Sequence, residues 1–123
     1  MSDRKVSPPA ILIVEDDALL MMLAVDVVEH AGYEALQADN ADAAIAILEC
    51  RSDIALLLTD VNMPGSMDGL KLAHAVRDRW PPVKIIIVSS RAPDGELPTD
   101  GRFFAKPYHA DTMISEIRSL IGP

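Results

Sequence analysis

Four short stretches carry side chains that could do chemistry. "VEDDA" sets Glu15, Asp16 and Asp17 side by side. "LTDVN" offers Asp60, with Asn62 two residues on. "IVSS" ends in Ser89 and Ser90, and "FAKPY" holds Lys106 before Pro107. Carboxylates brought together repel one another and hold protons unless a cation neutralises them. A hard divalent ion with all-oxygen ligands answers that need, and Mg²⁺ keeping several waters suits it best. A nearby lysine adds a fixed positive charge, and a small hydroxyl adds one adjustable hydrogen bond. The collection suits a dianionic phosphoryl group on or beside a carboxylate. Taken singly, each piece has an ordinary reading. The acidic triplet would cap a helix, Asp60 would cap a turn, Ser89 would end a strand, and Lys106 would be a solvated lysine. Their placement in the fold has to decide.

The surrounding pattern supplies that placement. "AILIV" (Ala10 to Val14) is a β-branched apolar run and reads as a buried strand. Ala18 to Ala31 reads as a helix, with Leu19, Leu20, Leu23, Val27 and Val28 at helical spacing and Gly32 as its stop. Tyr33 to Ala38 is a second strand. Asn40 caps a helix over Ala41 to Cys50, whose inner face is Ala44, Ile45 and Leu48. "IALLLTD" (Ile54 to Asp60) is the third strand. After a Pro64-Gly65 turn, a helix runs from about Asp68 to Arg79 and ends at Trp80-Pro81-Pro82. Val83 to Ser90 is the fourth strand, Arg102 to Ala105 a short fifth, and Ala110 to Ile121 the last helix. Strands alternate with helices, and three strands are apolar throughout, so both sheet faces are covered. This predicts an α/β fold with a doubly wound parallel sheet. Ligands of such sheets sit beyond the C-terminal strand ends. Glu15, Asp16, Asp60, Ser89 and Lys106 all stand at or just past strand ends, so one rim should gather them.

Bulk composition narrows the class. The chain has 123 residues and is 50% hydrophobic, which fits one globular domain. Residues 1–9 read as a flexible lead-in closed by Pro8-Pro9, and 10–123 as the domain. The apolar runs are far shorter than the roughly 20 residues of a membrane span, and "MSDRKVSPPA" does not read as a leader. A cytoplasmic location without membrane attachment is expected. Cys50 is the lone cysteine, which excludes an internal disulfide or a cysteine-based zinc site. A net charge of −8 argues against direct nucleic-acid binding.

The stretches "ILIVEDD", "LLLTDVNMPGSMDGL", "IIIVSS" and "FFAKPY", in that order, resemble the receiver domain of two-component response regulators over about Ala10 to Ile121. The resemblance implies a flavodoxin-like five-stranded sheet in the order 2-1-3-4-5. It implies that Asp60 is the phosphoacceptor and that Glu15 and Asp16 hold Mg²⁺ (with Mn²⁺ as a substitute). Asn62 would add its backbone carbonyl to the metal, and Asp17 would cap the first helix. Ser89 would be the switch hydroxyl, Lys106 the lysine that pairs with the acceptor and then the phosphoryl group, and Phe103 the aromatic that follows the switch. The Lys106–Pro107 bond would be cis. The phosphoryl source would be a histidine kinase or a histidine phosphotransfer protein, and an unknown downstream protein would read the switched surface. No effector domain is expected on the chain, which would act on its own phosphorylation and not as a turnover enzyme.

The match has departures. Ser89 and Phe103 are fourteen positions apart, shorter than the family interval, and "SSRAPDGELPTDGRF" holds two prolines and two glycines. The family's fourth helix, which belongs in this interval, should be shortened or missing. "FFAKPY" beside that loop is similar to a subgroup of stand-alone alphaproteobacterial receivers. "PGSMDG" is one residue long for the acceptor loop, and Arg91 lies where relatives tune loss of the phosphoryl group. His30, His74 and His109 read as helix-surface residues, and Lys71, Arg77 and Arg79 as a solvated face. Two other classes compete with signalling. One is a binding module that has lost phosphoryl chemistry, against which the full residue set argues. The other is an aspartyl phosphatase, which would want an acid where Asn62 stands.

Overall fold

The computed structural model describes residues 8–63, 65 and 67–122. Residues 1–7 of the expected lead-in, Pro64 of the expected turn, Ser66 and Pro123 lie outside these. Five strands, β1 (Ala10–Val14), β2 (Glu34–Ala38), β3 (Ile54–Asp60), β4 (Lys84–Ser89) and β5 (Arg102–Ala105), form one parallel sheet in the order β2-β1-β3-β4-β5. The described residues form four helices, α1 (Ala18–His30), α2 (Ala41–Cys50), α3 (Gly69–Arg79) and α4 (Ala110–Ile121).

The three central strands are apolar on both sides because both sides are packed. On one face α2 and α3 bring Ala44, Leu48, Leu72 and Val76 onto Leu12, Leu57, Ile85 and Ile87. On the other, α1 and α4 bring Ala24, Val28, Met113 and Ile117 onto Ile11, Ile13, Leu58 and Ile86. Most of these side chains are fully buried, and each buried Val, Leu, Ile or Met contributes about 1.5–3 kcal/mol of transfer free energy.

Helix starts follow local chemistry. Asp17, Asn40 and Asp68 each accept a backbone N–H of the first turn, from Leu20, Ala43 and Lys71. α1 departs from the sequence reading in its inner face. Met21, Ala24, Val27 and Val28 are buried, while Leu19, Leu20, Met22 and Leu23 are exposed. The first two turns of α1 are apolar all round, so spacing alone does not choose a face.

The fourth helix of the fold is α4, which follows β5. Between β4 and β5, residues 90–101 form bends and turns and no helix. A turn at Pro98 to Gly101, with Asp100 at φ +63° and Gly101 N–H donating to Pro98 O at 2.9 Å, leads into β5. No helix of the described residues is long and apolar enough to cross a membrane.

Candidate functional site

Register brings the chemistry-bearing residues together. Val14 pairs with Thr59, Asp60 with Val88, and Ser89 with Ala105. The ladder extends one residue further where Glu15 N–H donates to Ala38 O, Val61 N–H to Val88 O, and Lys106 N–H to Ser89 O at 2.8 Å. Glu15, Asp60, Ser89 and Lys106 are thereby fixed at one rim by backbone bonds alone.

The side chains then form a bonded cluster. Lys106 Nζ donates to Asp60 Oδ2 at 2.9 Å and to Glu15 Oε1 at 3.1 Å. The other Glu15 oxygen accepts from Asp17 N–H at 3.1 Å, and Asp60 Oδ1 accepts from Asn62 N–H at 3.3 Å. Glu15 and Asp60 are buried, whereas Asp16 is exposed. Carboxylate oxygens of Glu15, Asp16 and Asp60 lie within 4.8 Å of one another. Three carboxylates and one ammonium leave a formal charge of two minus, which one divalent cation would cancel. The oxygen-only donor set and this residual charge fit Mg²⁺.

Electrostatics at the rim follow from burial. Burial pushes the Glu15 carboxyl above its ordinary value, against the Asp17 amide and Lys106, which favour the anion. Burial also works against the Lys106 ammonium, but its bonds to Asp60 and Glu15 outweigh that and raise its pKa. Burial raises the Tyr108 phenol. A cavity of about 800 Å³ opens beside the cluster between α1 and α4, lined by Leu20, Leu23, Tyr108 and Ile114 and reaching Glu15, Asp60 and Lys106.

Ser89 and Phe103, the residues expected to switch, flank this cluster. Ser89 is 2% exposed, and its Oγ accepts a long bond from Arg91 N–H at 3.4 Å. Ser90 and Arg91 are exposed. Phe103 is half-buried opposite Ile87 and packs into the α2–α3 layer. The Lys106–Pro107 bond is cis. Asp17 caps α1, so of the acidic triplet only Glu15 and Asp16 join Asp60 in the cluster.

Three contributors escaped the sequence reading. Gly69 abuts the end of β3 so closely that a Cβ there would sit 1.7 Å from Asp60 O. The same carbonyl accepts from Thr59 Oγ1 at 3.0 Å. A glycine opening a helix, where it is a poor former, was the available signal for this close approach. His74, exposed on α3 as expected, and the half-buried Arg77 also bond the 90–101 connection. His74 Nε2 donates to Glu96 O at 2.7 Å, and Arg77 Nε donates to Thr99 O at 2.9 Å.

Comparison with known proteins agrees with this geometry. The family model described as "Response regulator receiver domain" matches residues 11–118. The response regulator receiver protein CpdR of Brucella abortus is 34% identical over 116 residues, which cover 90% of this chain and 95% of that protein. The polar-differentiation response regulator DivK of Brucella anthropi is 30% identical over 123 residues, covering 94% and 98%. Among solved structures, the receiver domain of the hybrid histidine kinase CckA superposes with a TM-score of 0.78 at 28% identity, covering 91% of this chain and 98% of that one.

Proposed function

Because the chain belongs to the response regulator receiver domain family of two-component signalling, we propose that it accepts a phosphoryl group on Asp60 and passes the signal by docking to another protein. The observation that carries this reading is Lys106, whose one ammonium holds both buried carboxylates, Asp60 and Glu15. An ammonium so placed holds the Asp60 carboxylate in position at the rim.

An Asp60 carboxylate oxygen attacks the phosphorus of a phosphohistidine. The new O–P bond forms as the P–N bond breaks, and the departing imidazole keeps the electron pair and takes a proton from solvent. Lys106 follows the charge from Asp60 to the equatorial phosphoryl oxygens. Ser89 turns its hydroxyl to donate to one of them, and Phe103 follows. Mg²⁺, with Mn²⁺ as a substitute, would be held by Glu15, Asp16, Asp60 and the Asn62 carbonyl, and it neutralises phosphoryl charge when bound. The added charge of about −1.5 to −2 biases the rim toward a second arrangement, which a partner protein reads.

A histidine kinase or a histidine phosphotransfer protein is the proposed donor, supported by the CckA receiver, which belongs to a hybrid histidine kinase. The proposed setting is the cytoplasm, with no direct role for nucleic acid or membrane. The domain acts on its own Asp60 only and does not turn over free substrates. Incubation with acetyl phosphate and Mg²⁺ tests the reading by intact mass. The expected result is a gain of one phosphoryl group in the wild type and none in Asp60→Asn. No gain, or a gain that survives Asp60→Asn, overturns it.

A further inference from the structure

Residues 90–101 cross from β4 to β5 as a strap without a helix. Its first turn is tied to the switch, since Arg91 N–H donates to Ser89 Oγ. Its far half is tied to α3. His74 Nε2–H donates to Glu96 O at 2.7 Å, and Arg77 donates to Thr99 O at 2.9 Å. A carbonyl only accepts, so the His74 proton must sit on Nε2. Leu97 packs into the α2–α3 layer, Pro98 is buried, and Gly95 runs so near Leu70 that a Cβ would meet it at 3.1 Å. The other end of α3 is tied to the acceptor strand, where Gly69 N–H donates to Val61 O at 2.8 Å. Asp60, α3, the strap and Ser89 therefore form a closed mechanical ring.

We propose that His74 and Arg77 are positioning residues for the Ser89 switch: by pinning the Glu96 and Thr99 carbonyls to α3 they latch the strap, and with it the Ser89 hydroxyl, in the resting arrangement. The inference rests on the phosphoacceptor reading of the site. When Ser89 Oγ turns to a phosphoryl oxygen, its bond to Arg91 N–H is given up. The strap then changes at its near end while its far end is held, so the two His74 and Arg77 bonds set how readily it shifts. Coupling of this kind is reciprocal: a shift favoured by phosphoryl binding must favour phosphoryl binding in turn.

Hydrogen exchange of the whole chain, with and without Mg²⁺ and beryllofluoride as the phosphoryl mimic, tests this. In the wild type the mimic should speed exchange of the Arg91 and Gly101 amides, whose bonds to Ser89 Oγ and Pro98 O close the two ends of the strap, by about fivefold. His74→Ala should speed the same amides without the mimic, leave β1 and β3 unchanged, and tighten mimic binding by a matching factor. His74→Gln, whose amide can donate to Glu96 O, should restore wild-type behaviour. Arg77 also donates to Pro81 O and Val83 O, so His74 is the cleaner variant. Wild-type strap exchange in His74→Ala overturns the proposal, and so does a strap that ignores a mimic bound at Asp60; either outcome leaves the phosphoacceptor reading intact. A mimic that alters no exchange near Asp60 and Lys106 overturns both.

Discussion

Lys106 meets Ser89 through its backbone N–H, 2.8 Å from the Ser89 carbonyl, while its ammonium rests 2.9 Å from Asp60 Oδ2. One residue thus joins the last rung of β4 to the Asp60 carboxylate. A change of charge on Asp60 reaches the Lys106 side chain directly, and the backbone beside Ser89 is already attached to it.

Removing that ammonium leaves two buried carboxylates facing each other. Lys106→Met should lower the stability of the metal-free protein by about 1–3 kcal/mol, the range for losing charged hydrogen bonds. Saturating Mg²⁺ should recover much of the loss, because the cation replaces the missing charge. Urea denaturation with and without Mg²⁺ measures both effects, and a variant as stable as wild type without metal would contradict the assignment.

The acidic triplet should divide by role. Asp17→Ala removes the side-chain cap of α1 and should cost about 1 kcal/mol while leaving Mg²⁺ affinity nearly unchanged. Asp16→Ala should do the reverse, since Asp16 is exposed and caps nothing. Thermal midpoints paired with Mg²⁺ titration separate the two, and equal loss of affinity in both variants would refute the division.

Gly69 has no room for a side chain. Gly69→Ala drives a Cβ into Asp60 O, a backbone atom that cannot swing away. The expected cost is about 3 kcal/mol, at the upper end of overpacking, together with slower acetyl phosphate labelling of Asp60. Denaturant midpoints near wild type would show that α3 can slide instead.

Acid should weaken Mg²⁺ binding early. The Glu15 pKa is raised above 4.5 by burial, so protons compete for this carboxylate at a higher pH than for an ordinary glutamate. For the metal-free fold the sign is opposite. The native state holds the Glu15 proton more tightly than the unfolded chain, so this contribution is full below 4.5 and is lost as pH rises through the native value. Mg²⁺-induced shifts in Tm, measured from neutral pH downward, should shrink before they do in Glu15→Gln, whose own metal response is weaker but flatter.

The sequence disclosed those parts that depend on neighbours along the chain. Asn40 and Asp68 announce helix starts, and the apolar runs of β1, β3 and β4 announce a covered sheet whose strand ends carry Glu15, Asp60 and Ser89. The parts that depend on distant partners stayed hidden. The bonds of His74 and Arg77 could not be read, because their acceptors lie 22 residues downstream in an irregular segment. The α1 face stayed ambiguous because Leu19 to Leu23 are apolar in every direction, and only packing against α4 and the sheet selects Met21, Ala24 and Val28.

The crossing from β4 to β5 also limits how this gene can drift. About a dozen residues is near the least that can join parallel strands. Lengthening it is inexpensive, about 0.6 kcal/mol per doubling of a flexible loop. Shortening it would unseat β5, and Lys106 with it, since Lys106 follows directly on that strand. Insertions between Arg91 and Asp94, ahead of the contacts with Leu70, His74 and Arg77, should therefore accumulate among descendants of this sequence, and in-frame deletions in the crossing should be purged.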